Sequence, residues 1–336
     1  MTIKSDRVKQ LLQLFPRQRL VVIGDLMLDR YIHGTVDRLS PEAPVPVVHV
    51  TREKSMPGGA SNVAWNVLAL GGQVALCGLL GRDSAGRELR EILVKGGMQT
   101  DGILDLSNLR TTVKTRIIAE RQQVVRVDWE DRLRLDEITL EAFCRRVAAE
   151  VKKSTGVILE DYGKGVLHQR VTDAALTAAR AADIPSGLDP KDYTLQLAGL
   201  TLATPNRKEA FAAAGVPETP PGAEPLRDAE LLWVGEALMK KWTPRLLIIT
   251  LGPQGMLLLG GDGAPRHVPT RAREVYDVSG AGDTVIATCV LALAAGADFV
   301  EAAEIANYAA GVVVGKMGTA TCNPAELLAA LEHDGT

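Results

Sequence analysis

The sequence predicts an α/β fold in which helices cover both faces of a mostly parallel sheet, with a small second sheet standing off it. Three observations carry this. Apolar, β-branched runs recur at "RLVVIGD" (19–25), "VALCGLL" (74–80), "GVILED" (156–161), "IPSGLD" (184–189), "LTLATPN" (200–206) and "RLLIITLG" (245–252). Such runs fill strands buried on both faces. Segments rich in alanine and leucine at helical spacing lie between them, at 60–70, 84–95, 136–152, 169–182 and 226–241, and that alternation favours parallel pairing. Two segments, 31–53 and 110–130, break the pattern by alternating like strands with no helix between.

Taken in order, the chain opens on "MTIKSDRVKQLLQLFPRQR", a polar amphipathic helix without the apolar core of a secretory leader. In the second irregular segment Val113, Thr115 and Ile117 alternate with Lys114 and Arg116, and Val125 and Val127 with Arg126 and Asp128. "ERQQ" supplies the turn between them. A sheet of this kind has an apolar face to cover, against a ligand site or another subunit. The expectation is a lid that does both, giving a homodimer. "GVPETPPGAEP" (215–225) reads as a Pro-rich surface loop rather than a linker, so residues 1–336 are expected to form one domain carrying the lid. The longest apolar stretch, Val285 to Ala297, is too short to span a membrane and predicts a buried helix.

Composition excludes several functions. With 46% hydrophobic and 24% charged residues the chain is ordinary for a soluble protein, and a net charge of −3 gives no reason to expect nucleic acid or a membrane surface as partner. Only 4% of residues are aromatic, which disfavours a base-stacking platform. Cys77, Cys144, Cys289 and Cys322 lie far apart and read as reduced core thiols of a cytoplasmic protein. The five histidines are scattered, so no zinc site is expected.

Ligands of open parallel sheets bind beyond the carboxyl ends of the strands. Asp25, Asp161, Asp189, Asn206 and Gly252 all stand just past a strand and together mark one candidate rim, although each alone is an ordinary loop residue. "PGGASNVAWNVLALG" (57–71) pairs glycines, which let a ligand approach the backbone, with Asn62, a donor and acceptor for hydroxyls. It reads equally as a capped helix start. "TPNRKEA" (204–210) is either a helix capped by Asn206 or an Asn206/Glu209 pair organising magnesium, its water and phosphate. "TLGPQGMLL" (250–258) is a hairpin whose glycine spacing also leaves amides free to face a nucleotide.

"YDVSGAGDTVIAT" (276–288) is the most informative stretch. Gly280, Ala281 and Gly282 aim amides at one point on the positive end of a helix, which makes an anion hole. An acid beside it, Asp283, repels phosphate unless its task is to remove a proton. Phosphoryl transfer to an alcohol needs that pairing of amide donors with a base. The sequence holds neither a G-x-x-x-x-G-K-[ST] loop nor a protein-kinase H-R-D signature.

On "GGASNVAWNVLALGG" and "DVSGAGDTVIA", in that order and separation, the chain resembles the ribokinase-like (PfkB) carbohydrate kinases, from about residue 15 to 330. Within that family "GDLMLDRY", "RLSPEAPVPVV", "EDYGKGVL", "DPK", "TPNRKE" and "GKMGTAT" are most similar to kinases acting on a heptose 7-phosphate in the supply of ADP-heptose for lipopolysaccharide cores. The resemblance implies a ribokinase-like fold and an ATP- and Mg²⁺-dependent kinase, with a monovalent cation such as K⁺ as a further ion. It implies Asp283 as the base, Gly280, Ala281 and Gly282 as phosphoryl cradle, and Asn206, Glu209, Thr250, Gly252, Gly255 and Asn307 toward the nucleotide. Glu209 is expected to hold Mg²⁺ through water. Asp25, Gly58, Gly59, Asn62 and Asp161 match sugar-binding positions. Cations for the sugar's own phosphate are expected from Lys164 and Lys191 on the rim and from Arg126 and Arg116 on the lid. Glu160 stands where serine is expected, and Ser279 where threonine is. A kinase without a second catalytic half is expected because the sequence ends at Thr336. The rival readings are a kinase of another sugar, a sensor that binds sugar and nucleotide without turnover, and a nucleotidyltransferase.

Overall fold

Apolar runs become the inner strands of a nine-stranded sheet in the computed structural model of the chain, which describes residues 3–334 except 121, 132, 192, 198, 261, 262 and 273. After α1 (Ser5–Leu14), β1 (Arg19–Gly24) opens that sheet, and β2 (Leu26–Leu39) and β3 (Pro46–Gly59) leave it as a long hairpin. The chain returns through α2 (Ala60–Ala69), β4 (Gln73–Gly81), α3 (Ser84–Lys95) and β5 (Gln99–Leu106). A second hairpin, β6 (Thr112–Ala119) and β7 (Gln122–Trp129), departs again. Alternation resumes with α4 (Glu137–Val151), β8 (Gly156–Glu160), α5 (Gln169–Ala181), β9 (Ser186–Asp189), β10 (Leu202–Ala203), α6 (Arg207–Ala214) and α7 (Ala229–Trp242). The last part holds β11 (Leu246–Thr250), β12 (Met256–Gly260), β13 (Gly263–Val268), α8 (Ala281–Ala294), α9 (Phe299–Val314) and α10 (Pro324–Asp334).

The strand order is β13-β12-β11-β10-β9-β8-β1-β4-β5, parallel from β11 through β5 and antiparallel at the β12–β13 edge. The unbroken apolar run Leu20–Ile23 of β1 follows from two cores. Leu20 and Val22 pack with residues of α2, α8 and α9, while Val21 and Ile23 pack with α4, α5 and α7. The parallel strands therefore end on one rim, where Asp25, Asp161, Asp189, Asn206 and Gly252 stand. Cys77, Cys289 and Cys322 are buried and Cys144 partly so, all four as free thiols. Among the described residues no helix is long and apolar enough to cross a membrane.

Several elements differ from the sequence expectation. The run at 200–206 pairs as a strand only over Leu202–Ala203, because Pro205 lacks an amide and Asn206 turns to cap α6. The helix expected at 226–241 is a single 3₁₀ turn at Pro225–Arg227, then α7 from Ala229, with Asp228 as its cap. β5 was not expected, since "QTDGILDL" opens with three polar residues and is partly exposed, as an edge strand is. The "ERQQ" turn is tighter than four residues: β7 begins at Gln122, and Arg121 lies outside the described residues.

The two hairpins form the lid, a four-stranded sheet in the order β3-β2-β6-β7. Lys114 is in register with Asp29 and Asp128, and Arg116 with Tyr31 and Arg126, so these six side chains share one face. That face turns to the rim, since the Lys114 ammonium lies 5.5 Å from the ring centroid of Tyr162. Val113, Thr115, Ile117, Val125, Val127 and Trp129 occupy the other face, with Trp129 52% exposed.

The loop at 215–225 is tied down by a buried cation. Arg207 donates to Asp228 at 3.0 Å and to the Thr219 carbonyl at 3.2 Å, and the Arg207 and Asp228 side chains are each 8% exposed. Asp228 also accepts from the amides of Leu231 (3.0 Å) and Gly222 (3.3 Å). Burial raises its pKa, but these amides and Arg207 outweigh that and hold it below the ordinary carboxylate value. Replacing Asp228 with Ala strands the guanidinium in the interior and should cost about 3–5 kcal/mol of stability in urea unfolding, with Asp228→Asn costing less because it keeps the helix cap.

Candidate active site

The site is built where α8 begins. Gly280 precedes the helix with φ +81°, and a Cβ there would lie 2.9 Å from the Asn62 side-chain nitrogen, so the position favours glycine on both counts. Ala281 donates its amide to the Val278 carbonyl at 3.2 Å. The amides of Gly280 and Gly282 have no acceptor among the described residues and point outward from the positive end of α8.

Asp283, in the first turn, is only 6% exposed. Its Oδ2 accepts from Asn62 Nδ2 at 2.5 Å and its Oδ1 from the Tyr162 hydroxyl at 2.8 Å. Burial pushes its pKa up and these two hydrogen bonds partly offset the rise, leaving it above the ordinary value. Asn62 is held in turn: its carbonyl accepts from Asn66, whose side-chain oxygen accepts from Thr284 at 2.8 Å, and that hydroxyl lies 3.0 Å from the Gly280 carbonyl. A closed polar network thus locks α2 to α8 around the acid.

The expected sugar-side acids also shape the rim loops. Asp25 accepts the amides of Tyr162 (2.9 Å), Lys164 (3.0 Å) and Val166 (3.1 Å). Asp161 accepts those of Gly163 (2.8 Å) and Lys191 (2.9 Å). Gly58 and Gly59 end β3 directly before α2, and a Cβ on Gly58 would lie 2.5 Å from the Asp29 carboxylate.

On the other side of Gly280–Gly282 an apolar cleft of about 190 Å³ is lined by Thr250, Gly252, Gly255, Val278, Val285, Asn307 and Val314, among others. The β11–β12 turn supplies the first three, while Asn307 projects from α9 and donates to the Pro269 carbonyl at 2.6 Å. Ala281 and Gly282 line its end, so cleft and anion hole are continuous. Asn206 and Glu209 form a complete capping box, with Glu209 N to Asn206 Oδ1 at 3.0 Å and Asn206 N to Glu209 Oε2 at 2.9 Å. Glu209 also pairs with Lys191. The other expected cations are paired too: Lys164 with Glu130 (2.6 Å), Arg126 with Asp128 (2.9 Å) and Arg116 with Asp29 (2.7 Å).

Sequence reasoning missed Tyr162 and Lys114. The signal for Tyr162 lay in "EDYGKG", one residue past Asp161; Lys114 had only the alternation of its strand. It also passed over what Glu160 does. Glu160 and Asp189 are in register on β8 and β9, facing α8, and a Cβ on Gly282 would lie 3.5 Å from the Asp189 carboxylate. Glu160 is 1% exposed, and its Oε2 has no hydrogen-bond partner among the described residues. Burial, then Asp189 and Asp283, push its pKa well above the usual range; burial, then Glu209 and Asp283, do the same to Asp189. Among the described residues no three His, Cys, Asp or Glu side chains converge as a ready metal site.

Comparison with known proteins bears on this geometry. The profile of the pfkB family carbohydrate kinases matches residues 17–326. Bifunctional protein HldE of Geotalea uraniireducens is 46% identical over 335 residues, covering 97% of this chain and 66% of the relative. Those of Pelobacter propionicus and Caulobacter vibrioides are 44% and 45% identical, covering 93% and 97% of this chain. The chain thus spans 62–66% of the length of these relatives. Among solved structures, Arabidopsis thaliana ribokinase complexed with ribose and ATP superposes with a TM-score of 0.69 at 20% identity, covering 94% of this chain and 99% of that one. Escherichia coli phosphofructokinase-2 in complex with potassium gives 0.74 at 17%, covering 95% and 99%. These two are likenesses of fold.

The uncompensated acids should be visible in stability. Glu160 has a raised pKa when folded, so its contribution is complete below the unfolded value and is lost as pH rises toward the folded one. Glu160→Gln fixes the neutral form. In metal-free buffer it should melt roughly 2–4 °C above the parent near pH 8, and the gain should vanish by about pH 4.

Proposed function

The chain belongs to the pfkB family of carbohydrate kinases, and on that footing we propose that it transfers the γ-phosphoryl group of ATP to the anomeric oxygen of D-glycero-β-D-manno-heptose 7-phosphate, giving the 1,7-bisphosphate. One observation carries the chemistry: a buried carboxylate, Asp283, stands beside two unengaged amides, Gly280 and Gly282, at the end of an apolar cleft. The acceptor sugar rests on the segments that resemble heptose 7-phosphate kinases, and the high identity to the bifunctional HldE proteins supports it.

Asp283 takes the proton of the anomeric hydroxyl as the phosphoryl bond forms. Asn62 and Tyr162 fix the direction of its carboxylate, and burial raises its basicity above that of a free aspartate. Gly280 and Gly282, with the positive end of α8, stabilise charge on the transferred oxygens. Thr250, Gly252, Gly255 and Asn307 border the cleft that takes the nucleoside, and the cleft's apolar lining suits a base. Glu160 leaves one carboxylate oxygen orphaned with Asp189 and Glu209 as charged neighbours. These are the oxygen donors a hard cation takes, although among the described residues they do not converge as a preformed three-ligand site. Glu209 would hold Mg²⁺ through water, and that ion, when bound, offsets charge on the nucleotide phosphates. The lid face bearing Val125, Val127 and Trp129 is the surface through which a homodimer would form.

The test is turnover on synthetic heptose 7-phosphate with ATP, followed by ³¹P NMR of the product. A new phosphate on C1 supports the reading; free ribose or fructose outperforming every sugar phosphate overturns it. Asp283→Asn should lower kcat at least about 100-fold while the KM for ATP stays within about threefold. The acid limb of kcat/KM should lie above the ordinary aspartate range, because Asp283 must be ionised to act and its pKa is raised. Sedimentation at micromolar concentration should show a dimer, and a monomeric mass would remove the lid interface.

A further inference from the structure

We propose that Lys114 is the residue by which this enzyme recognises the phosphate group of its sugar phosphate acceptor, at the end of the sugar remote from the reacting hydroxyl. This rests on the reading above that the acceptor is a sugar phosphate.

The four cations expected to meet the sugar's phosphate have carboxylate partners: Arg116 with Asp29, Arg126 with Asp128, Lys164 with Glu130 and Lys191 with Glu209. Lys114 differs. Its cross-strand neighbours are Asp29 on β2 and Asp128 on β7, and Arg116 and Arg126 have claimed both. Among the described residues its ammonium makes no ion pair, and its contact is with the face of the Tyr162 ring. It is nevertheless half-buried, and burial lowers its pKa, with Lys164 and Arg126 adding to the effect against the attraction of Asp29 and Asp128. An ammonium withdrawn from water without a partner is unfavourable, and an arriving anion removes that cost.

The position of that anion follows from Tyr162. Its hydroxyl is 2.8 Å from Asp283, and Lys114 lies 5.5 Å from the centroid of the same ring. Base and ammonium thus both touch one tyrosine, the base at its hydroxyl and the ammonium at its ring face. A sugar whose hydroxyl meets Asp283 carries its phosphate to Lys114. The paired arginines are less available, since each would have to exchange a carboxylate for the phosphate.

The experiment compares the parent with Lys114→Gln and Lys114→Arg on heptose 7-phosphate and on the same heptose without its phosphate. Lys114→Gln should raise the KM for the phosphorylated sugar about 10- to 100-fold, leave kcat and the KM for ATP near the parent, and abolish the preference over the unphosphorylated sugar. Lys114→Arg should recover most of that preference. The free Lys114→Gln protein should melt no lower than the parent, since no ion pair is lost, and heptose 7-phosphate should raise its Tm less than it raises the parent's. An unchanged KM for the phosphorylated sugar in Lys114→Gln overturns the assignment while leaving the functional reading intact. A fall in kcat at unchanged KM also overturns it, placing Lys114 on the transferred phosphoryl group instead. A parent that prefers unphosphorylated sugars overturns both, and the parent assay alone reveals it.

Discussion

The site depends on keeping one carboxylate buried at the start of a helix. Asp283 is nearly inaccessible, yet it carries two side-chain hydrogen bonds from two different parts of the chain, Asn62 of α2 and Tyr162 beyond β8. A buried charge of this kind is tolerable only where donors and a helix dipole face it. The α2–α8 network through Asn66 and Thr284 exists in the same place because those donors must themselves be held. Holding the acid also fixes the anion hole, since Gly280 and Gly282 belong to the turn that delivers it.

Much of this was legible in the sequence, and the reason is local. Strands buried on both faces are apolar at every position, so β1, β4, β8 and β11 stand out from composition alone. Gly280–Asp283 and Asn206–Glu209 act through backbone geometry within a few residues, and spacing records it. β5 was hidden because an edge strand has one solvated face. Tyr162 and Lys114 were hidden for another reason. Their meaning comes from partners more than a hundred residues away or from a cross-strand register, which no local pattern encodes. Asp25 and Asp161 stand on the expected rim, and the backbone amides their carboxylates also gather from segments far along the chain are not recorded by any local pattern.

The charges of the lid are better understood as a set than singly. On its rim-facing side each arginine takes a carboxylate, Arg126 with two nitrogens of its fork and Arg116 with one while stacking 5.2 Å from the Tyr31 ring centroid. This pairing stiffens the sheet and neutralises most of its field. What it leaves over is a point charge on a flexible stem, placed next to the tyrosine that touches the base. A lid built on arginines that were all unpaired would attract any anion, nucleotide phosphates included; one residual ammonium is more selective.

The same sheet is joined to the base without slack. β3 runs through Gly58 and Gly59 and α2 begins at the next residue, so no loop separates the lid hairpin from the helix that presents Asn62. Ala60 N donates to the Asp25 carbonyl at 3.0 Å, which pins that junction to the end of β1. Asp25 in turn gathers the amides of Tyr162, Lys164 and Val166. Both side chains that orient Asp283 are therefore set by one junction at the end of β1. Asn62 and Tyr162 are thus both held relative to the lid through the end of β1. On the proposed reading, the carboxylate that removes the proton is oriented through the same junction that carries the lid.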